Sequence, residues 1–411
     1  MTGLSRHLEN RVARLLKQFA VVCLVGVRQC GKTTLAQRVR PDWAYVDLED
    51  PATADRLQHD PRFFLQQSPR QVIIDEVQGH PQLFQALRGA IDERRHEKGR
   101  YILTGSSSPE LLRHTAESLA GRVAIVHIGT LKASELASQP LSPFYQLFAN
   151  KLDANILLQA KPPALSLAQL QQAWFWGGYP EPVLAQDADF YRQWMDNYQR
   201  TYLERDIPKL FPHLNHQAYR RFLTMLCHLS GTIVNKRNLA RALEVSEGAV
   251  RNYLEIAAGT FLWRGLPSFE SSRVRSVVKM PKGHMCDTGL LHFLLQLAHE
   301  PDLQTHPIVG ASFEAFVVEE ILKGLQATSV TGWQAHHYRT RGGTEIDLVL
   351  QGAFGTLPIE IKRASRVSMR NLQSLSRFVQ QLNLPFGILV NQSQQLQWLT
   401  PHVLQLPATW L

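Results

Sequence analysis

The chain has 411 residues, 44% hydrophobic and 19% charged, enough for roughly two to four domains with cores of their own and the make-up of a soluble globular protein. The longest apolar run, residues 20–25, is far too short to cross a bilayer, and the charged N-terminus lacks the form of a secretory leader; Cys23, Cys30, Cys227 and Cys286 show neither paired nor metal-ligand spacing, so a reducing, cytoplasmic setting without structural metal is expected. The net charge of +9 suits polyanionic partners, and residues 200–290 hold fourteen Lys and Arg against seven acids, so much of the excess lies mid-chain.

Residues 1–19 read as an amphipathic helix with Leu4, Leu8, Val12, Leu15 and Leu16 on one face, a packing element ahead of a sheet. Residues 21–34 follow as a short apolar strand, then Gly26-x-x-x-x-Gly31-Lys32-Thr33, then a helical continuation. That order of strand, loop and helix is what a phosphate-binding P-loop requires. Gly26 and Gly31 let the backbone turn so that N–H groups along Val27, Arg28, Gln29, Cys30, Lys32, Thr33 and Thr34 form an anion cradle at a helix N-terminus. Lys32 is expected to reach the β- and γ-phosphates of ATP, and the Thr33 hydroxyl to ligate Mg²⁺. The plain alternative is a glycine-rich turn.

Residues 43–48 alternate like a second strand and end in a turn signal. The run from Gln71 to Val77 is a buried-strand pattern ending in Asp75 and Glu76, the form of a Walker B strand. Asp75 is expected to order Mg²⁺ through water and Glu76 to polarise the attacking water as the base, unless the two acids merely end a strand. From Tyr101 to Ser107 a third apolar strand ends in hydroxyls. Thr104 is placed there to hold the lytic water or the γ-phosphate, the role called sensor 1 in AAA+ proteins, although any strand can end in Thr-Gly-Ser. Arg122 follows Gly121, and as a surface arginine it is unremarkable.

Together, residues 26–33, 72–77, 102–107 and 118–122 resemble the family of predicted prokaryotic AAA+ ATPases that carry a C-terminal domain of unknown function. The resemblance covers most of the chain. It implies a P-loop AAA+ ATPase domain over residues 1–135 with ATP and Mg²⁺ as ligands. It also implies Arg122 as a finger that completes a neighbour's site, hence a homo-oligomer, with a hexameric ring among the candidates.

Residues 136–165, rich in Pro and Ser, read as a boundary or surface connection, and a helical lid is expected over 136–210. Within it Gly177-Gly178-Tyr179-Pro180 resembles the Gly-x-Pro stretch in the lid of related signalling and archaeal ATPases, which implies that Pro180 packs near the adenine. A helix-capping turn would look the same. Residues 191–207 read as a helix in which Arg205 faces either a phosphate or its neighbours Glu204 and Asp206.

Residues 211–300 read as a winged helix-turn-helix. A helix over 238–243 is followed by a turn at Glu244-Val245-Ser246, a second helix over 247–256 with Ser246 as N-cap, and a wing over 263–278. Such domains bind DNA or only protein. The charge favours DNA, with Arg251 and Asn252 on the second helix and Lys236, Arg237 and Arg241 near the phosphate backbone. Residues 279–295 read as a connector that ends in an apolar helix, with Asp287 as a cap.

Residues 301–411 carry a second candidate chemistry. Glu314 sits on an amphipathic helix, Asp347 on a strand over 344–350, and Glu360 beside Lys362 on one face of a strand over 358–362. The set resembles the core of PD-(D/E)XK nucleases. That implies a divalent metal held by Asp347 and Glu360, with Glu314 completing the shell and Lys362 steadying the developing charge. The same pattern arises on any half-exposed strand, and this fold also serves as an inactive binding module.

The expected fold is α/β: a P-loop AAA+ parallel sheet, a helical lid, a winged helix-turn-helix and an α/β nuclease-like end. The expected function is ATP hydrolysis coupled to remodelling or translocation of DNA, junction DNA included. The alternatives are a nucleotide-switched signalling or defence ATPase whose C-terminal half recognises a protein, and nucleotide binding without hydrolysis.

Overall fold

The computed structural model describes residues 4–106, 117–207, 211, 214–270 and 278–411; Ser107 and residues 271–277 of the expected wing lie outside them. The chain divides into two compact units. One is Met1–Leu131 with Tyr179–Glu181 and Glu255–Leu262; the other is Lys132–Gly178, Pro182–Leu254 and Trp263–Leu411.

Five parallel strands form the sheet of the first unit: β1 (Val21–Gly26), β2 (Ala44–Asp47), β3 (Val72–Asp75), β4 (Tyr101–Ser106) and β5 (Val123–Ile128), in the order β2-β3-β4-β1-β5. All six residues of β1 are buried. A parallel strand with neighbours on both edges and helices over both faces gains nothing from polar alternation, which is why it reads as a continuous apolar run. Its core joins Val21, Cys23 and Val25 to Ile74, Leu87, Leu103 and Leu119. The leading helix is Leu8–Leu16, burying Leu8, Val12 and Leu16. Residues 51–67, which carry no clear period, form two helices, Pro51–His59 and Pro61–Gln67. Each starts at an aspartate cap, Asp50 accepting from the Thr53 N–H and Asp60 from the Phe63 N–H, both at 3.0 Å.

The second unit begins in helices, among them Leu167–Trp176 and Ala188–Tyr198, the latter continuing as a π-helix over Gln199–Asp206. The Arg205 guanidinium meets its neighbour Asp206 at 3.1 Å. The helices Lys236–Leu243 and Glu247–Gly259 are joined by a tight turn in which Glu244 takes a left-handed conformation (φ 57°), and the Ser246 hydroxyl caps the second, accepting from the Ala249 N–H at 3.1 Å.

Beside them stands an antiparallel sheet of β6 (Thr232–Ile233), β7 (Trp263–Leu266) and β8 (Lys282–Met285), with β8 in the middle. The expected connector therefore contains the central wing strand. Its pattern is hidden by Gly283, where a Cβ would stand 2.3 Å from the Trp263 ring. Asp287 caps the next helix, Thr288–Leu294, accepting from the Leu290 N–H at 3.0 Å.

The last hundred residues build a six-stranded mixed sheet: β9 (Gln334–Arg339), β10 (Glu345–Gly352), β11 (Gly355–Lys362), β12 (Gly387–Asn391), β13 (Gln397–Thr400) and β14 (Val403–Pro407), in the order β13-β14-β12-β11-β10-β9. The helix Met369–Leu382 covers it through Leu372, Leu375, Phe378 and Val379. The helix Val309–Ala327 that carries Glu314 is buried on almost every side, including Glu319 and Glu320. It is thus an interior helix and not the amphipathic one expected, because its acids are paired inside the protein. Among the described residues no helix is long and apolar enough to cross a membrane.

Candidate functional site

At the end of β1 the chain turns through residues 27–30 into the helix Lys32–Val39. Gly26 faces Ile128 of β5 in the ladder, and a Cβ there would lie 2.2 Å from the Ile128 carbonyl oxygen. Gly31 has φ +90°, which a side chain strongly disfavours. Both glycines of the motif are therefore demanded by geometry. Lys32 is 5% exposed and folds back on the loop, donating to the carbonyls of Gly26 (3.3 Å) and Val27 (3.0 Å). Val27 and Cys30 are buried, Arg28 is half-buried, and Gln29 and Thr34 are exposed, Gln29 with a left-handed φ of 63°.

The carboxyl ends of β1, β3 and β4 bring the remaining groups to this loop, the usual place for a ligand in a parallel sheet. The Thr33 hydroxyl donates to Asp75 Oδ2 at 2.7 Å. These two hard oxygen donors at the mouth of a phosphate loop fit a divalent ion carried with a triphosphate. Glu76, next to Asp75, has φ 56°, a conformation costly for a non-glycine residue, and its carboxylate accepts from the Gln78 amide. Thr104 is fully buried, and its hydroxyl has no hydrogen-bond partner among the described residues. In the ladder Ile74 pairs with Leu103, so Thr104 is one step along, level with Asp75. The hydroxyls of Ser134, Tyr219 and Ser268 are in the same condition, so what sets Thr104 apart is its place on the strand next to Asp75.

Three features were not legible beforehand. Tyr45 of β2 donates to the same Asp75 oxygen at 2.8 Å, and its own ionisation is pushed up by burial and by that hydrogen bond. Arg6, buried, spans the loop's flank, donating to the carbonyls of Cys30 (3.0 Å) and Gly129 (2.9 Å). Both contacts join residues distant in sequence, and single-residue patterns carry no sign of them. Lys282, treated below, is the third.

Pro180 is brought to the loop, its Cγ 3.9 Å from where a Gly31 Cβ would stand. Arg122 is not. Its carbonyl accepts from the N–H of Val21, the first residue of β1, so it lies at the opposite end of the sheet from its own P-loop, about 17 Å away for a six-residue strand. Its guanidinium holds Asp92 through two contacts, 2.8 and 2.9 Å. Within one chain Arg122 cannot serve the site that Lys32 defines.

On the helix-turn-helix, Arg237, Arg241, Arg251 and Asn252 are exposed and Lys236 is half-exposed. Arg237 comes no nearer than 3.9 Å to Glu247, a loose, solvated pair.

Asp347, Glu360, Lys362 and Glu314 also meet, but Glu314 and Asp347 gather on an unexpected cation, Lys282, while Glu360 pairs with Lys362. The ammonium of Lys282 on β8, 3% exposed, lies 2.6 Å from Glu314, 2.8 Å from Glu345 and 3.2 Å from Asp347. Lys362 pairs with Glu360, and Asp347 accepts from the Ile361 N–H at 2.9 Å. Burial raises Glu314 and Glu360, aided by the charge of Asp347, each to about 8. Burial would raise Asp347 too, but Lys282 and Lys362 hold it below its ordinary value. Among the described residues no three acid, His or Cys side chains form a group suited to a metal ion. The expected set of Glu314, Asp347 and Glu360 does not fit a divalent metal here, because a lysine stands among its oxygens.

Comparison with known proteins adds three family matches along the chain: an AAA domain over residues 18–137, the domain of unknown function DUF8612 over 167–300 and the domain of unknown function DUF4143 over 309–411. An uncharacterized protein of Mycobacterium tuberculosis is 32% identical over 373 residues, 90% of this chain and 76% of that protein, and its Mycobacterium bovis counterpart matches equally. Among solved structures, a Walker-type ATPase of Pyrococcus abyssi aligns with 72% of this chain and 99% of its own at 14% identity and a TM-score of 0.41, too loose a likeness to carry an argument.

Proposed function

This chain belongs to the family of P-loop AAA+ ATPases that end in the domain of unknown function DUF4143, and on that premise we propose that it couples Mg²⁺-dependent ATP hydrolysis to binding and remodelling of DNA by a homo-oligomer. In this reading Lys32 leaves the carbonyls of Gly26 and Val27 for the β- and γ-phosphates, and the loop's N–H groups cradle them. Mg²⁺ would be held by Thr33 and, through water, by Asp75, supplying charge that offsets the phosphates. Glu76 orients and deprotonates the attacking water. Thr104, whose hydroxyl lacks a partner among the described residues, fixes that water or the γ-phosphate. Pro180 packs beside the adenine.

Arg122, at the far end of the sheet, acts on the site of a neighbouring copy, so turnover needs at least two copies, and a closed ring satisfies every site at once. The four-part division at residues 135, 210 and 300 assigns the DNA to the winged helix-turn-helix. The single observation that carries the DNA assignment is the exposed set Arg237, Arg241, Arg251 and Asn252 on its two helices, set among the exposed acids Glu244, Glu247 and Glu255, with side chains able to contact phosphates and read base edges.

The test is the ATP turnover rate against a panel of linear, forked and junction DNA at several salt concentrations. Stimulation that falls steeply with salt supports the reading. Slow turnover indifferent to every DNA overturns it and favours a nucleotide-switched signalling ATPase with a protein partner.

A further inference from the structure

The acidic cluster of the C-terminal sheet draws residues from three elements. Glu345 and Asp347 stand on β10, Glu314 on the helix Val309–Ala327, and Lys282 on the wing strand β8, 63 and 65 residues before the two β10 acids. An ammonium has three protons to donate, and here each has an oxygen: Glu314 at 2.6 Å, Glu345 at 2.8 Å and Asp347 at 3.2 Å. The other Asp347 oxygen is taken by the Ile361 N–H at 2.9 Å and faces Lys362 at 3.8 Å. Both Asp347 oxygens and one oxygen each of Glu314 and Glu345 thus already face an ammonium, while Glu360, paired with Lys362 through its other oxygen, keeps a buried Oε2 with no hydrogen-bond partner among the described residues.

Lys282 is also held in place by its backbone. It pairs with Ile233 on one side and Leu266 on the other, in the middle of the wing sheet. A second buried ion group ties the same sheet to the same helix: Arg264 of β7 and His284 of β8 both meet Glu319, His284 at 2.9 Å. Burial would raise Glu319, yet the Arg264 charge and the hydrogen bonds from His284 and Arg264 hold it down to about 2, while burial lowers the pKa of His284 itself. The wing is thus fastened to the C-terminal fold at two points, one of which is the nuclease-like cluster.

We propose that Lys282 is the resident cation of the cluster formed by Glu314, Glu345 and Asp347, so that this nuclease-like site is a closed, metal-free junction that fastens the wing and does not cleave nucleic acid. A divalent ion needs oxygens at about 2.0–2.6 Å and would have to share them with an ammonium that cannot leave without moving β8.

The test is Mn²⁺ binding followed by electron paramagnetic resonance on the full chain without nucleotide. The wild type and Lys282→Arg, which keeps the charge, bind no Mn²⁺ at the cluster. Lys282→Ala gains one site, roughly tenfold or more tighter than any wild-type binding, and adding Asp347→Asn removes it. A folded Lys282→Ala chain that gains no site overturns the proposal. So does Mn²⁺ binding, or Mn²⁺-dependent DNA cleavage, by the wild type that is lost in Asp347→Asn. Should Lys282→Ala fail to fold while Lys282→Arg folds, the fastening role stands, and the wild-type and Asp347→Asn measurements decide the metal question.

Discussion

Replacing glycines one at a time separates the two demands that the phosphate loop makes on its backbone. A Cβ on Gly26 would lie 2.2 Å from the Ile128 carbonyl oxygen and 3.2 Å from the Cys30 sulfur. That is about 1 Å inside contact distance, and the offending atom belongs to backbone paired with Gly26 itself. Relief requires β1 and β5 to part, so Gly26→Ala should cost about 2–3 kcal/mol as overpacking. At Gly31 the nearest atoms are 3.9 Å away and only the φ of +90° resists a side chain, for about 1–2 kcal/mol. Gly79 has open space around it and ordinary backbone angles, so Gly79→Ala should be neutral within about 0.5 kcal/mol. Thermal unfolding checks the order: Gly26→Ala melts lowest, by about 4–10 °C, Gly31→Ala lies between, and Gly79→Ala matches the wild type. Gly26→Ala as stable as Gly79→Ala would refute the close approach of β1 and β5 at the loop.

Other outcomes follow from named contacts. His292 donates to the Phe175 carbonyl at 2.8 Å and accepts from Ser312 at 2.6 Å, and burial lowers its pKa from 6.5 to about 4 despite that carbonyl. The unfolded chain therefore takes up a proton that the folded one refuses, so this group's contribution is complete above pH 6.5 and lost as pH falls toward 4. Urea unfolding at pH 7 and pH 5 should show roughly 2 kcal/mol of pH dependence that His292→Asn removes; an unchanged difference refutes the neutral tautomer. Arg251→Ala should weaken DNA binding about tenfold and relax sequence preference, while Lys236→Ala should weaken all sequences alike and lower the salt slope by about one; fluorescence anisotropy separates the two. Arg122→Ala and Lys32→Ala should each be nearly inactive in ATP turnover and regain part of it when mixed, because each supplies what the other lacks. No recovery on mixing would remove Arg122 from a neighbour's site.

How far the residues alone reveal this molecule depends on how local each cause is. The loop was legible because its two glycines, its lysine and its threonine lie within eight positions of one another and each has a backbone reason to be there. Asp75 was legible because a buried strand that ends in an acid is unusual. Tyr45 was not, since nothing near residue 45 announces that β2 will lie beside β3. Arg122 could be singled out, but only the ladder shows which end of the sheet it occupies. In the last hundred residues β10 and β11, although buried through their middles, were readable because Glu345, Asp347, Glu360 and Lys362 alternate with apolar neighbours, whereas β12 and β14, equally buried, carry no charged residue to mark a period. Lys282 was the hardest. Its strand is interrupted by Gly283, its partners stand some thirty to sixty-five residues later, and a lysine is ordinarily an exposed residue.

The coupling of the two activities is tested most directly by the affinity for DNA in the two nucleotide states, measured on the Glu76→Gln variant with and without Mg²⁺ and ATP. If ATP at Lys32 and Thr33 governs the DNA-binding surface, the dissociation constant should change by at least about fivefold, and DNA should shift the affinity for ATP by the same factor. Identical DNA affinity in both states, with ATP demonstrably bound, would contradict the account.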